Sequence, residues 1–375
     1  MKVPFFDLGA LIRSESTELH SALDEVLASG YFVGGPLTEK FESEFASFVG
    51  STYAVGVANG LDALRLILEA YEIGPGDEVI VPAFTYYATW LGITQTGATP
   101  VPVDVVSSTA NLDPALVEAA ITPRTKAILP VHLYGQAADL GAIMEIAGRH
   151  GLIVVEDAAQ AHGAVSTGGT VGATGHAAGF SFYPTKNLGA LGDAGGVTTS
   201  DAAVADRIRS RRSYGQGASK YDHVDTGWNS RLDPMQAAFL SLHLTKLAGW
   251  TARRREIAHT YLDALAGREG SVVGPADVAG SVWHHFVIKA ADRARLQQHL
   301  AGEGVASDAH YPYAVHQLAP MKPLLTGASV DARFAVSEAL AQQVTSLPMG
   351  PWMDDDQVAH VAATLRGLPD DILTS

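Results

Sequence analysis

Lys186 sits in the run Phe180-Ser181-Phe182-Tyr183-Pro184-Thr185-Lys186-Asn187-Leu188-Gly189, after an apolar stretch and just ahead of a glycine-rich turn. A lysine there is held by a rigid strand, partly shielded from water, and close to backbone that leaves room for a planar group. Desolvation lowers an amine's pKa and makes it a usable nucleophile toward an aldehyde, so the chemistry this position suits is Schiff-base formation. A lone lysine carries little weight, because most lysines are solvated surface charges. Its upstream companions change that.

Residues 151–160 read Gly-Leu-Ile-Val-Val-Glu-Asp-Ala-Ala-Gln, an apolar run that stops at a carboxylate. The pattern predicts a buried parallel strand with Asp157 at its C-terminal end, where open α/β sheets bind ligands. A carboxylate at that point suits a salt bridge to the protonated ring nitrogen of pyridoxal phosphate, which keeps the ring withdrawing electrons. Glu156 competes for the role, since one sequence does not reveal which way the strand faces, and a helix N-cap is the plain alternative for Asp157. Further upstream, residues 53–60 predict a strand and a tight turn, followed by an amphipathic helix over 61–71. The N–H groups and partial positive charge at that helix N-terminus suit a phosphate. Phosphate turn, acidic strand end and lysine, in that order, form a specific combination.

Five ordered segments carry a family likeness: Asn59-Gly60-Leu61-Asp62-Ala63-Leu64, Gly76-Asp77-Glu78-Val79-Ile80-Val81-Pro82, Glu156-Asp157-Ala158-Ala159-Gln160-Ala161-His162-Gly163, the Lys186 run, and Asn229-Ser230-Arg231-Leu232-Asp233. Over nearly its whole length the chain resembles the fold-type I, pyridoxal phosphate-dependent sugar aminotransferases of the DegT/DnrJ/EryC1/StrS group. The resemblance implies Lys186 as the Schiff-base lysine, Asp157 on the pyridine nitrogen, Gln160 near the ring hydroxyl and Tyr86 stacked on the ring. It implies Gly60, Leu61 and Ser181 as phosphate ligands, and Asn229 as a phosphate ligand supplied to the neighbouring subunit of a homodimer with shared active sites. His310-Tyr311-Pro312, with His316, matches a family motif that lies over the active site and contacts the sugar, and Tyr183 joins His310 and Tyr311 as an expected sugar contact.

Around Lys186 the sequence resembles the subgroup that aminates C3. The implied reaction moves an amino group from an amino-acid donor, expected to be L-glutamate, to C3 of a dTDP-linked 3-keto-6-deoxyhexose, with pyridoxamine phosphate as the intermediate form of the cofactor. Ala194, inserted in the Gly-Asp-Gly-Gly pattern, and Phe84, where many relatives have asparagine, depart from the family and leave the sugar open. A C4-aminating enzyme and a non-catalytic regulator of the same fold are the alternatives. A sugar-dehydrating relative is opposed by Lys186 and by the absence of cysteine.

The 375 residues are 47% hydrophobic and 17% charged, the composition of a soluble globular protein long enough for a large core. A net charge of −15 argues against nucleic acid as the main partner, so an anionic substrate must meet local positive charge. Lys220, in a glycine-rich segment before Asn229 that reads as a mobile loop, is the expected diphosphate contact. Arg207, Arg209, Arg211 and Arg212 stand behind it as second candidates. The lack of cysteine removes disulfides and thiol nucleophiles. No apolar stretch suits a signal peptide or a membrane span, and a cytoplasmic enzyme is the expectation.

Strands are expected at 53–57, 78–81, 99–103, 126–130, 152–155, 178–182 and 195–199, with helices at 61–71, 113–120, 139–149 and 201–212, the rhythm of a mostly parallel α/β sheet. A long helix from Pro234 to about Ala266 follows. The expected division is a large cofactor-binding domain over 1–246 and a smaller α+β domain over 247–375. Among the remaining features, Trp283-His284-His285-Phe286 reads as a strand with one inward histidine, and Arg253-Arg254-Arg255 as a solvated helix face. The glycines at 189, 192, 195 and 196 are expected to let backbone pass close to the cofactor. No metal-ligand spacing is present.

Overall fold

Between Tyr53 and Thr199 the chain alternates apolar strands with amphipathic helices. In the computed structural model, which describes residues 1–166, 169–219, 221–274, 280–325, 334–369 and 371–373, these strands form one sheet. Helices α1 (Leu8–Ser14), α2 (Ser16–Ser29) and α3 (Pro36–Val49) precede it. Its strands are β1 (Tyr53–Val57), β2 (Glu78–Pro82), β3 (Thr99–Val103), β4 (Thr125–Ile128) and β5 (Ile153–Asp157), then, past a short hairpin of β6 (Val165–Ser166) and β7 (Gly169–Thr170), β8 (Ala177–Ser181) and β9 (Gly195–Thr199). The connecting helices are α4 (Gly60–Ala70), α5 (Tyr87–Thr94), α6 (Pro114–Val117), α7 (Leu140–His150) and α8 (Ala202–Arg211). Each expected strand is present with ends shifted by a residue or two, and the helix expected over 113–120 finishes as a 3-10 turn after Val117.

The strand order is β1-β9-β8-β5-β4-β2-β3. Every pairing is parallel except those of β9, which runs against both β8 and β1. Parallel strands are covered on both faces and so are largely apolar, as β2 is after Glu78, with every residue buried. The consequence for function is positional. The C-terminal ends of β1, β2, β4, β5 and β8 share one edge of the sheet, and the N-terminal end of β9 joins them there.

Helix α9 (Pro234–Ala264) runs for 31 residues. It starts cleanly, with the Asp233 carboxylate accepting from the Met235 N–H and Pro234 in the first turn, where no N–H is needed. Ala237, Leu240 and Leu247 pack it against Phe41, Phe45 and Phe182, whereas Ile257, Ala258 and Tyr261 pack it against Trp283, Phe286 and Leu347. Lys246, the expected hinge, lies within the helix and pairs with Glu15 and Glu18, each at 3.1 Å. Beyond it, β10 (Val272–Val273), β11 (Phe286–Lys289) and β12 (Val344–Leu347) form an antiparallel sheet, accompanied by α10 (Arg293–Gly302), α11 (Ala335–Gln343) and α12 (Asp355–Arg366). Among the described residues no helix is long and apolar enough to cross a membrane.

Candidate active site

A cavity of about 710 Å³ opens at the shared strand edge. Of the residues expected from sequence, Gly60, Leu61, Tyr86, Asp157, Gln160, Ser181, Tyr183, Lys186, His310 and Tyr311 all line it. Asn229 does not; it is exposed and bridges to Ser213. Lys220 lies outside the described residues. His316 is also away from the cavity, turned against Phe334 with Nε2 3.1 Å from Glu338. The arginines at 207–212 are occupied elsewhere, Arg212 by Glu42 and the Gly56 carbonyl, Arg211 by Glu69 and Asp225.

The phosphate-type turn is built by α4. Asn59 caps the helix, its side chain accepting from the Asp62 N–H at 2.8 Å. Beside that bond and the Ala63 N–H to Asn59 carbonyl bond at 3.1 Å, the N–H groups of Gly60 and Leu61, both at the cavity wall, have no partner among the described residues. Glycine is needed at 60 because a Cβ there would fall 2.7 Å from the Cβ of Ser181, so only glycine lets the helix start and the serine converge. At Gly195 a Cβ would fall 2.3 Å from the Asn59 carbonyl. Gly189 and Gly195, expected to let backbone pass close to a cofactor, thus make room for the backbone of Pro184 and Asn59, while Gly192 and Gly196 face the side chains of Gln236 and Phe182.

The facing of β5 separates its two acids. Glu156 points away from the cavity, where Oε2 accepts from the Gly172 N–H at 2.8 Å and meets His132 Nε2 at 2.9 Å, while Oε1 accepts from the Gly175 N–H at 2.6 Å. The Ala138 N–H donates to His132 Nδ1 at 3.0 Å, which leaves Nε2–H to donate to the acid. Burial works to raise the Glu156 pKa, yet His132 and these amides outweigh it and hold the group below its ordinary value. Asp157 faces the cavity. Burial pushes its pKa up, against the Thr89 hydroxyl at 2.8 Å, the Ala159 N–H at 3.2 Å and the charge of Lys186.

Lys186 ends a tight turn in which its own N–H donates to the Tyr183 carbonyl at 2.8 Å. Asn187 pins the next position, donating from Nδ2 to the Val282 carbonyl at 2.8 Å and accepting from His284 Nδ1 at 2.9 Å. The Lys186 amine makes no hydrogen bond or ion pair with the described residues. Burial brings its pKa down to about 8, with Asp157 resisting the fall. Across the cavity, Gln160 accepts from the Tyr134 N–H at 2.7 Å and donates to the Tyr311 hydroxyl at 2.9 Å. The rings of Tyr311 and Tyr86 stand 5.4 Å apart. His162 stays neutral, driven by burial to a pKa of about 3, and supports Ser181 with a 3.0 Å bond to its carbonyl.

One wall was not anticipated. Phe5 and Phe6 from the N-terminal segment, Arg254 from α9, His284 and His285 ahead of β11, and Met349 after β12 all line the cavity. His285 stacks on His310 with centroids 4.1 Å apart, and Phe5 packs against both rings, 5.6 Å from His310 and 6.0 Å from His285. The expected strand at 283–286 is therefore the approach to a strand, with both histidines turned toward the cavity. The expected solvated arginine face is corrected too, since Arg254 is 2% exposed. Its spacing held the signal: Leu247, Thr251, Arg254, Ala258 and Tyr261 recur at intervals of four and three, which places a charge in a buried helical stripe. Thr85 and Thr89, also missed, are four apart at the start of α5 and hydrogen bond at 2.9 Å.

The donors suit a planar aldehyde bearing a phosphate. The helix N–H groups and a serine suit an anion, and among the described residues the buried Asp157 carboxyl, its pKa raised, has no ion-pair partner and the half-buried Lys186 amine has neither a hydrogen bond nor an ion pair. Among the described residues no group of histidine and acidic side chains could hold a metal ion. Comparison with known proteins agrees. The DegT/DnrJ/EryC1/StrS aminotransferase family model matches residues 13–366. The chain is 47% identical to the dTDP-3-amino-3,4,6-trideoxy-alpha-D-glucose transaminase of Streptomyces venezuelae, over 97% of this chain and 96% of that one. It is 48% identical to the erythromycin biosynthesis sensory transduction protein EryC1 of Saccharopolyspora erythraea, over 98% and 99%. The crystal structure of DesV from S. venezuelae, in complex with a ketimine intermediate, superposes with a TM-score of 0.93 at 46% identity, covering 98% of each chain.

Proposed function

This chain belongs to the DegT/DnrJ/EryC1/StrS aminotransferase family, and from that premise we propose that it transfers an amino group from L-glutamate to C3 of a dTDP-linked 3-keto-6-deoxyhexose, using pyridoxal phosphate. The observation that carries this reading is the half-buried Lys186 amine, without a partner among the described residues, in a cavity that also holds Asp157 and the N–H groups of Gly60 and Leu61. When bound, pyridoxal phosphate supplies an aldehyde that holds the migrating amino group and a ring that draws electrons from the adjacent carbon. Gly60, Leu61 and Ser181 receive its phosphate. Asp157 would pair with the ring nitrogen, a cation there offsetting the burial that otherwise raises its pKa. Tyr86 and Gln160 would hold the ring by its face and its hydroxyl.

Lys186 holds the aldehyde at rest. Freed by the donor, its amine takes a proton from the donor's α-carbon, and in the second half of the cycle it returns one to C3 of the sugar. A pKa near 8 suits both directions, because a base poised near working pH gives up its proton as readily as it takes one. Tyr183, His310 and Tyr311 read the sugar hydroxyls, and Lys220 meets the diphosphate. The working unit in the cytoplasm is a homodimer. Asn229, exposed and outside its own chain's cavity, is available to a partner's, and the exposed Tyr31, Phe32 and Val33 offer apolar surface for burial. The division into domains over 1–246 and 247–375 falls within α9, and the two share an interface, since one apolar cluster joins Val55, Val81 and Val155 with Val287, Leu340 and Val344.

The test is incubation of purified protein with L-glutamate and a panel of 3-keto and 4-keto dTDP-sugars, with products read by mass spectrometry. Amination of the 3-keto members is expected. Amination confined to 4-keto sugars would overturn the regiochemistry and keep the enzyme. A yellow holoenzyme whose colour no amino acid discharges would overturn the enzyme in favour of a regulator.

A further inference from the structure

Arg254 is a buried charge that none of the roles above uses. Its Nη1 donates to the main-chain carbonyls of Trp283 at 3.0 Å, His284 at 3.3 Å and Met349 at 3.2 Å, which fixes the head of the side chain. Its Nε is buried without a partner, and Nη2 has none among the described residues. No carboxylate among them lies within ion-pair distance. The Trp352 ring, 5.6 Å from the guanidinium carbon, is the one aromatic face it meets. Burial alone lowers its pKa to about 9. A charge so placed is tolerated when something pairs with it, and three neutral carbonyls leave a net positive charge at the cavity wall.

That charge shares a cavity wall with the reacting lysine. Arg254 and Lys186 line the same cavity. His284 links them, its carbonyl accepting from Arg254 and its ring bonding Asn187, the residue after Lys186. Both cations bear on His284 and on His285. Asp308, the other acid on this wall, accepts from the Ala309 N–H at 2.8 Å and influences His310, not Arg254.

We propose that Arg254 receives the carboxylate of the donor amino acid. This rests on the aminotransferase reading and adds to it the group by which the donor is recognised. Bond count places the anion. In an amino acid the carboxylate is attached to the carbon that bears the amine, so it falls beside the lysine. In a nucleotide sugar the C2 and C1 atoms and the glycosidic oxygen separate C3 from the diphosphate, which therefore lies farther out. A guanidinium matches the planar, two-oxygen shape of a carboxylate. The neighbouring histidines, held neutral by burial, bring no competing charge.

The experiment is a titration of the holoenzyme with 2-methylglutamate, which keeps the amine and both carboxylates but has no α-proton to lose, followed by cofactor absorbance. Arg254→Gln should weaken this ligand by about 10- to 100-fold, the range of a charge-assisted hydrogen bond lost from a buried site. Arg254→Lys should recover part of the loss. Calorimetry should find dTDP bound equally well by all three proteins, and so should absorbance with n-propylamine, an amine lacking a carboxylate. Unchanged affinity for 2-methylglutamate in Arg254→Gln overturns the proposal. Loss falling on dTDP instead assigns the cation to the diphosphate and overturns it as well. Equal loss for all three ligands with a lowered melting temperature shows a purely structural arginine, a third overturning result. Should Arg254→Gln not fold, the ratio of 2-methylglutamate to dTDP affinity in Arg254→Lys decides: a fall supports the proposal, an unchanged ratio overturns it. Wild-type holoenzyme that responds to no amino acid defeats the aminotransferase reading itself.

Discussion

Glu156 and Asp157 are neighbours on β5, both buried, and they face opposite sides of the sheet edge. Behind the strand, Glu156 is enclosed by His132 and the N–H groups of Gly172 and Gly175, and its pKa is held low despite burial. In front of it, Asp157 has a threonine hydroxyl and one amide, and its pKa is pushed up. Burial is common to both, so burial does not decide the outcome. The number of donors aimed at each carboxylate decides it. The same contrast holds for the cations, since Arg212 is paired with Glu42 while Lys186 and Arg254, at the cavity, have no acid partner among the described residues. Charges that serve the fold are satisfied within the chain; those at the cavity are left for a ligand.

The largest effect should come from the front of the strand. Lys186→Ala removes both nucleophile and base and should lower transamination by about 10⁴-fold or more, with melting temperature little changed because the half-buried amine has no hydrogen bond or ion pair with the described residues. Borohydride reduction and peptide mapping of the wild type should place the label on Lys186. A label on another lysine would break the comparison at its centre.

Asp157→Asn should lower the rate by about 10²- to 10³-fold, the scale on which loss of an aimed electrostatic group is felt, with a shift in the cofactor spectrum and stability nearly kept. Glu156→Ala should do the reverse. Breaking a buried, hydrogen-bonded pair costs about 3–5 kcal/mol, so chemical denaturation should show a large loss of stability while the remaining folded protein keeps near-normal turnover. If Glu156→Ala lost turnover and kept stability, the assignment of the two faces would be inverted.

The smallest effect is in pH. A Lys186 pKa of about 8 lies below that of an ordinary lysine, so the neutral, reactive amine accumulates as pH rises through 8. The rate at which apoprotein captures pyridoxal phosphate should rise about tenfold between pH 7 and 9 and then level off. Stopped-flow absorbance measures this, and a rate still climbing steeply above pH 10 would show an amine with an ordinary pKa.

Much of the frame was legible in the residues. Apolar runs bounded by glycine, proline and acid mark the strands of the parallel sheet, because such strands are buried on both faces and need no alternation. Asp157 and Ser181 end such runs, and Gly60 and Lys186 follow closely in the helix start and turn beyond them, so finding the strands also finds the cavity's floor. The wall made by Phe5, Arg254, His284 and His285 was not legible in this way. Those residues come from segments far apart in sequence that follow no βα rhythm, and they meet only where α9 and the small sheet pack beside the large one.

The sequence alone therefore determined which side chains stand at strand ends and which helix start offers free N–H groups, since both follow from local periodicity and capping. Tertiary structure alone decided that Asp157 and not Glu156 faces the cavity, because a strand's facing depends on what packs against each side. It also decided that Arg254 is buried without a counter-charge while Arg253 beside it pairs with Glu256 and Asp355. Local pattern tells a residue's place along its element; whether its charge is satisfied depends on groups brought from elsewhere in the chain, and only folding assembles them.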